Sequence, residues 1–189
     1  MNIFEHKAKY PIYFTLIIVI FFWIVFYDSI IHENYRAFWI AYINTAIHEW
    51  WHMLFFSAYY FFGNMFLYVA WWTILQLLVP TLIMWVFIKQ KDFFWVSIMF
   101  AILWINLFSV SRYAWDAIKL DNLLLLFLWK ATGSDKVGHD WNYMLTETWL
   151  LYKTDEISFW IWVSAVICFI IFFLYSTILI INRFRDWEI

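Results

Sequence analysis

Apolar residues in this chain fall in long unbroken blocks rather than in strict alternation. Five blocks stand out, at 11–27, 35–62, 65–88, 93–112 and 157–181. A helix needs about twenty apolar residues to cross a hydrocarbon core of about 30 Å, and these blocks are near or above that length. The lack of period-two alternation removes the barrel alternative, which leaves helices as the spanning element. Two shorter stretches, 117–129 and 141–151, suit interfacial or re-entrant helices. The expectation is an all-α, polytopic membrane helical bundle, one transmembrane domain over 1–189, with five crossings. The first block could pass for a secretory leader. Its apolar core is long, however, and the polar run from Asp28 to Glu33 lacks a small-x-small pattern, so it reads as a retained helix.

Punctuation along the blocks adds detail. Gly63 and Asn64 form a helix stop, so blocks 35–62 and 65–88 should be antiparallel neighbours. Pro80, inside the third block, frees the backbone carbonyl of Gln76 one turn earlier. Within a membrane that carbonyl must find another partner. Arg112 is read as closing the fourth block, with Asp116 just past its end.

Composition strengthens the membrane reading: 66% of residues are hydrophobic and 14% charged, against about 45–50% and 25% in soluble domains. A net charge of −2 offers no electrostatic case for nucleic acid. The single cysteine, Cys168, excludes an intramolecular disulfide. With five crossings, Lys7, Lys9, Arg112, Lys119, Lys130, Lys136 and Lys153 share one side. Arg36, Lys89, Lys91, Arg183 and Arg185 share the other, which favours a cytoplasmic amino terminus. The expected location is a bacterial inner membrane, with an organellar membrane as the alternative.

The candidate chemistry lies in the second block, at His48-Glu49-Trp50-Trp51-His52. Four residues is just over one helical turn, so both imidazoles project from one face of a helix. That spacing lets two ring nitrogens reach one Zn²⁺ at about 2.0–2.1 Å, with Glu49 placed as general base. The motif is short and recurs by chance. Its setting is more telling, because two histidines and a glutamate about 16 Å inside a helix are costly in lipid unless something uses them.

Two histidines make half a tetrahedral site, and catalytic zinc usually takes a third protein ligand. His6 and His32 lie in polar segments, which leaves His139 as the preferred third ligand. Asp140 is an alternative oxygen ligand or an acceptor behind the first shell, and Asp116 a supporting carboxylate or a further alternative. Asn44, Gln76 and Asn106 either line a cavity or join helices through hydrogen bonds worth about 0.6–2 kcal/mol each.

These residues together resemble a known family. His48-Glu49-Trp50-Trp51-His52 in a membrane block, then Gly63-Asn64 and Gln76 with Pro80, is similar to membrane-embedded zinc metalloproteases of the site-2 protease type. A group of small bacterial membrane proteins related to those proteases is closer still. Asn106-Leu107, Ser109-Val110, Tyr113, Asp116-Ala117 and His139-Asp140-Trp141 match that group's downstream boxes in order, over about residues 36–151. The resemblance implies Zn²⁺ and peptide-bond hydrolysis. Two departures are plain: Trp51 is bulky where those proteases place a small residue, and their Asn-Pro-Asp-Gly or Leu-Asp-Gly box is absent.

The expected function is a zinc-dependent membrane-embedded metallopeptidase acting on peptide bonds in or near the membrane. Its partners would be lipid and a membrane-protein or peptide substrate. The rival is a non-catalytic subunit of an oligomer or larger membrane complex that has kept an HExxH helix. The small size and the aromatic surplus suit burial among partner helices. A haem-binding membrane protein is a third and weaker reading, because two histidines one turn apart on one helix cannot sit on opposite faces of a single iron.

Overall fold

The computed structural model describes residues 10–31, 63–119 and 139–185. Every regular element among them is helical, and four helices are long and apolar enough to cross a membrane. The fold is an all-α membrane bundle. Block 35–62 and stretch 120–138 lie outside the described residues.

Helix α1, Ile12–Ile31, starts directly after Pro11, whose fixed φ suits a helix entry and whose carbonyl takes the first amides, of Phe14 and Thr15. Helix α2, Met65–Lys89, is capped by Asn64, whose side chain accepts from Leu67 N at 3.0 Å. Gly63 before it has φ +62°, the left-handed region that a residue without Cβ enters freely.

α2 ends in a Schellman turn. Asp92 N–H donates to Phe87 O at 2.9 Å and Lys91 N–H to Ile88 O at 3.0 Å. Lys91 holds the left-handed position, φ 55°, that glycine usually takes. This tight turn sets α3, Phe93–Lys119, antiparallel to α2.

Helix α4, Asp140–Glu147, is short and ends in the same way. Leu150 N–H donates to Leu145 O at 2.8 Å, Trp149 N–H to Thr146 O at 3.1 Å, and Trp149 has φ 59°. One turn of 3₁₀ helix, Leu151–Lys153, leads into α5, Thr154–Arg185. α5 begins earlier than the apolar block at 157. Asp155 and Glu156 occupy its first turn, where the helix dipole favours negative charge.

α3 is the centre of the bundle. Its small residues Ser97, Ala101, Ser111 and Ala114 are buried, as are Ser158, Ala165 and Ser176 of α5. Small side chains let membrane helices approach closely, where packing and hydrogen bonds replace the hydrophobic drive. The two helices are clasped by serines: Ser111 Oγ donates to Ser158 O at 2.9 Å, and Ser158 Oγ to Ser111 O at 3.0 Å. α1 seals the other side with rings, Phe26 stacking on Phe169 and Phe22 meeting Phe172 edge-on.

These contacts define two ends. One holds the start of α1 and the α2–α3 turn: Tyr10 Oη donates to Asp92 Oδ2 at 2.9 Å and accepts from Trp95 Nε1 at 2.8 Å. The other holds the start of α2, the end of α3, α4 and the start of α5. α1 runs from the first end toward the second, since Tyr10 meets Phe94 and Phe26 meets Trp104. Ile31 and Gly63 therefore both face the second end.

Candidate functional site

His48, Glu49, His52 and Asn44 lie outside the described residues. The remaining candidates fall in two places: Gln76 with Asn106 at the middle of the bundle, and Asp116, His139 and Asp140 at its second end.

The middle pair answers the question posed by Pro80. Asn106 Nδ2 donates to Gln76 O, the carbonyl that Pro80 releases, at 3.1 Å. Gln76 Nε2 donates in return to Asn106 Oδ1 at 3.3 Å. Each residue sits near the middle of its helix, so the exchange is made where water is scarcest. It ties α2 to α3 and leaves the released carbonyl paired.

The end cluster departs from expectation at Asp116. Arg112 does not close the fourth block; α3 continues to Lys119, and Asp116 is inside the helix and 0% exposed. The two cations are accommodated by rings one turn back. Arg112 lies over Phe108 at 5.8 Å and Lys119 over Trp115 at 3.9 Å. The helix extends past Arg112 and runs as far as Lys119.

α4 packs over this end of α3, and His139 is its cap. The ring Nδ1 accepts from Asn142 N at 3.2 Å. Asp140, expected as a ligand or acceptor, is the first residue of α4 and is buried. Its backbone N–H donates to Tyr113 Oη at 3.2 Å. Its carboxylate stands at a helix N-terminus, where it is electrostatically favoured. Asn142 Nδ2 donates to Ala117 O at 2.7 Å, satisfying one of the carbonyls left open in the last turn of α3. Tyr113 also lies against the imidazole, ring centroids 4.3 Å apart.

Neither Asn142 nor Tyr113 was given a role from sequence. The signals were weak: Asn142 is three residues after His139, the capping distance, and Tyr113 is one turn before Asp116.

His139 is 2% exposed, and its Nε2 has no hydrogen-bond partner among the described residues. Asp116 Oδ2 lies 3.6 Å away, too far for a direct hydrogen bond. Burial lowers the histidine pKa from its ordinary value and outweighs the opposing pull of the Asp116 and Asp140 carboxylates, so the ring is held neutral.

The fit of these residues to zinc turns on that atom. Two neighbouring donors of a tetrahedral zinc with bonds of about 2.0–2.1 Å stand roughly 3.3 Å apart, not far from the observed spacing. The carboxylates of Asp116 and Asp140 suit such a cation as oxygen donors. His139 in this arrangement does not. With Nδ1 accepting a backbone hydrogen, a neutral ring carries its own hydrogen on Nε2 and offers no lone pair there. Among the described residues no three His, Cys, Asp or Glu side chains converge on one metal position. No protein-family model, curated protein or solved structure matches the chain.

Proposed function

We propose that the chain is a zinc-dependent membrane-embedded metallopeptidase that hydrolyses peptide bonds in or near a bacterial inner or organellar membrane. One observation carries the reading beyond the motif itself. Both described borders of the segment holding His48, Glu49 and His52, at Ile31 and Gly63, face the end of the bundle where Asp116 and Asp140 are buried. A buried carboxylate in a membrane protein is costly and marks a functional position by default.

In this reading His48 and His52 hold the ion from one helical stripe, and a carboxylate from Asp116 or Asp140 completes the protein's share. Bound zinc supplies a Lewis acid for the scissile carbonyl and makes water acidic near neutral pH. Glu49 takes a proton from the attacking water and later passes it to the leaving amine. The apolar bundle keeps bulk water away from the reacting groups.

Glu49→Gln keeps the shape of the side chain but removes the base. Hydrolysis of a quenched transmembrane peptide by the purified protein should fall by about 10²–10⁴-fold, with bound zinc unchanged. Undiminished cleavage would reject the enzymatic reading.

A second reading has its own observation. The side-chain amide of Asn142 and the amides of Gln76 and Asn106 all serve bonds that hold helices together, and Nδ1 of His139 caps one of those helices. That is what a non-catalytic subunit of a larger membrane complex would need. Stoichiometric partners co-purifying with an inactive, zinc-free chain would favour it.

A further inference from the structure

We infer that His139 is a positioning residue rather than a donor to a cation: its neutral ring caps α4 through Nδ1 and turns the Nε2 hydrogen toward the Asp116 carboxylate. The inference deepens the peptidase reading by taking His139 out of its ligand set, and it rests on that reading only for the identity of the cation.

The geometry begins with Asn142. A backbone N–H can only donate, so the Nδ1 that accepts from it at 3.2 Å holds a lone pair and no hydrogen. A neutral imidazole has one ring hydrogen, which must then be on Nε2. That atom is buried, and Asp116 Oδ2 lies 3.6 Å from it.

Three neighbours fix the arrangement. Tyr113 covers the ring at a centroid distance of 4.3 Å and takes the Asp140 N–H on its hydroxyl. Asn142 is anchored at both ends, its N–H on His139 and its Nδ2 on Ala117 O. Asp140 follows His139 directly as the first residue of α4, so the helix start fixes the backbone that carries the ring.

To offer a lone pair from Nε2, the neutral ring would have to move its hydrogen to Nδ1. Two N–H groups would then face each other in a buried position, and α4 would lose its cap. Nε2 of His139 therefore offers a cation no lone pair.

The test uses the full chain in detergent or nanodiscs, with histidine nitrogens labelled with ¹⁵N. Two-bond proton–nitrogen spectra are recorded near neutral pH after chelator treatment, then after one equivalent of zinc alone. His139 is assigned from His139→Asn. The expected pattern is a hydrogen-bearing Nε2 and a bare Nδ1 in both samples. A hydrogen-bearing Nδ1, or an Nε2 signal shifted by zinc, would overturn the inference. If the chain takes up no zinc while His139 keeps the expected pattern, the peptidase reading fails and this one stands.

Substitution gives a second readout. Asn places its carbonyl oxygen where Nδ1 was, whereas Gln reaches instead toward the Nε2 position. Hydrogen exchange at the Asn142 amide should stay within about twofold in His139→Asn. It should quicken by roughly five- to tenfold in His139→Gln, the loss of one cap. Equal acceleration in both would contradict the capping role. Should either variant fail to fold, the spectra of the unsubstituted chain decide, with His139 assigned by replacing each of the other four histidines in turn.

Discussion

Two of the polar groups among the described residues of this apolar bundle are built on opposite plans. At the middle, Gln76 and Asn106 trade hydrogen bonds: one amide closes the gap left by Pro80, and the other answers it. Ten residues further along α3, roughly 15 Å by helical rise, Asp116 and His139 face each other across 3.6 Å without a direct bond. The first pair is neutral and mutually satisfied, the arrangement that fastens membrane helices. The second puts an acid and an imidazole, each about 1% exposed at the side chain, too far apart for a direct hydrogen bond. The contrast separates a fastening from a candidate site.

Substitutions that break each plan should give different readouts. The largest effect is expected at the end cluster. Asp116→Asn keeps volume but removes charge, and peptide hydrolysis should fall by about ten- to hundredfold, the loss typical of groups that support a metal's ligands. Activity within twofold of the parent would move Asp116 to the structural side of the comparison. Asn106→Ala should do the converse. It strands the Gln76 carbonyl and should lower unfolding stability in detergent by about 1–2 kcal/mol, with activity per folded molecule retained. A drop in turnover at unchanged stability would assign the middle pair to a cavity instead. Tyr113→Phe is expected to be smallest, about 0.5–1 kcal/mol, since it removes the acceptor for the Asp140 amide and keeps the ring beside His139.

How far the sequence was legible follows the same division. Long apolar blocks announced α1, α2, α3 and α5, because crossing a membrane demands length and apolarity together. The break at Gly63-Asn64 and the carbonyl released by Pro80 were also readable, since both are local backbone matters, whereas the cap that Asn64 gives α2 was not read. The partner of that carbonyl was not identifiable among the candidates, because pairing Asn106 with Gln76 depends on how α2 and α3 align. The turn at Trp149 was missed, and the left-handed residue at Lys91 gave no signal within the break read at 89–92, because in both places a side-chain-bearing residue takes a position usually marked by glycine. The end of α3 was misjudged because a charged residue looks like a boundary. Arg112 and Lys119 show that a cation resting on the ring one turn earlier lets the helix continue. That misjudgement hid the burial of Asp116. His139 was singled out as a ligand because it was the histidine left once His6 and His32 were set aside. Its use as a cap appears only once the Asn142 amide is placed.

Zinc content is the most direct measurement of whether the buried acids at the second end belong to a working site with the HExxH segment. Purified protein, after passage through metal-free buffer, should hold close to one zinc per chain by elemental analysis. His52→Ala should lose it, and His139→Asn should keep it. A parent chain without zinc, or a His52→Ala variant that retains a full equivalent, would contradict the account.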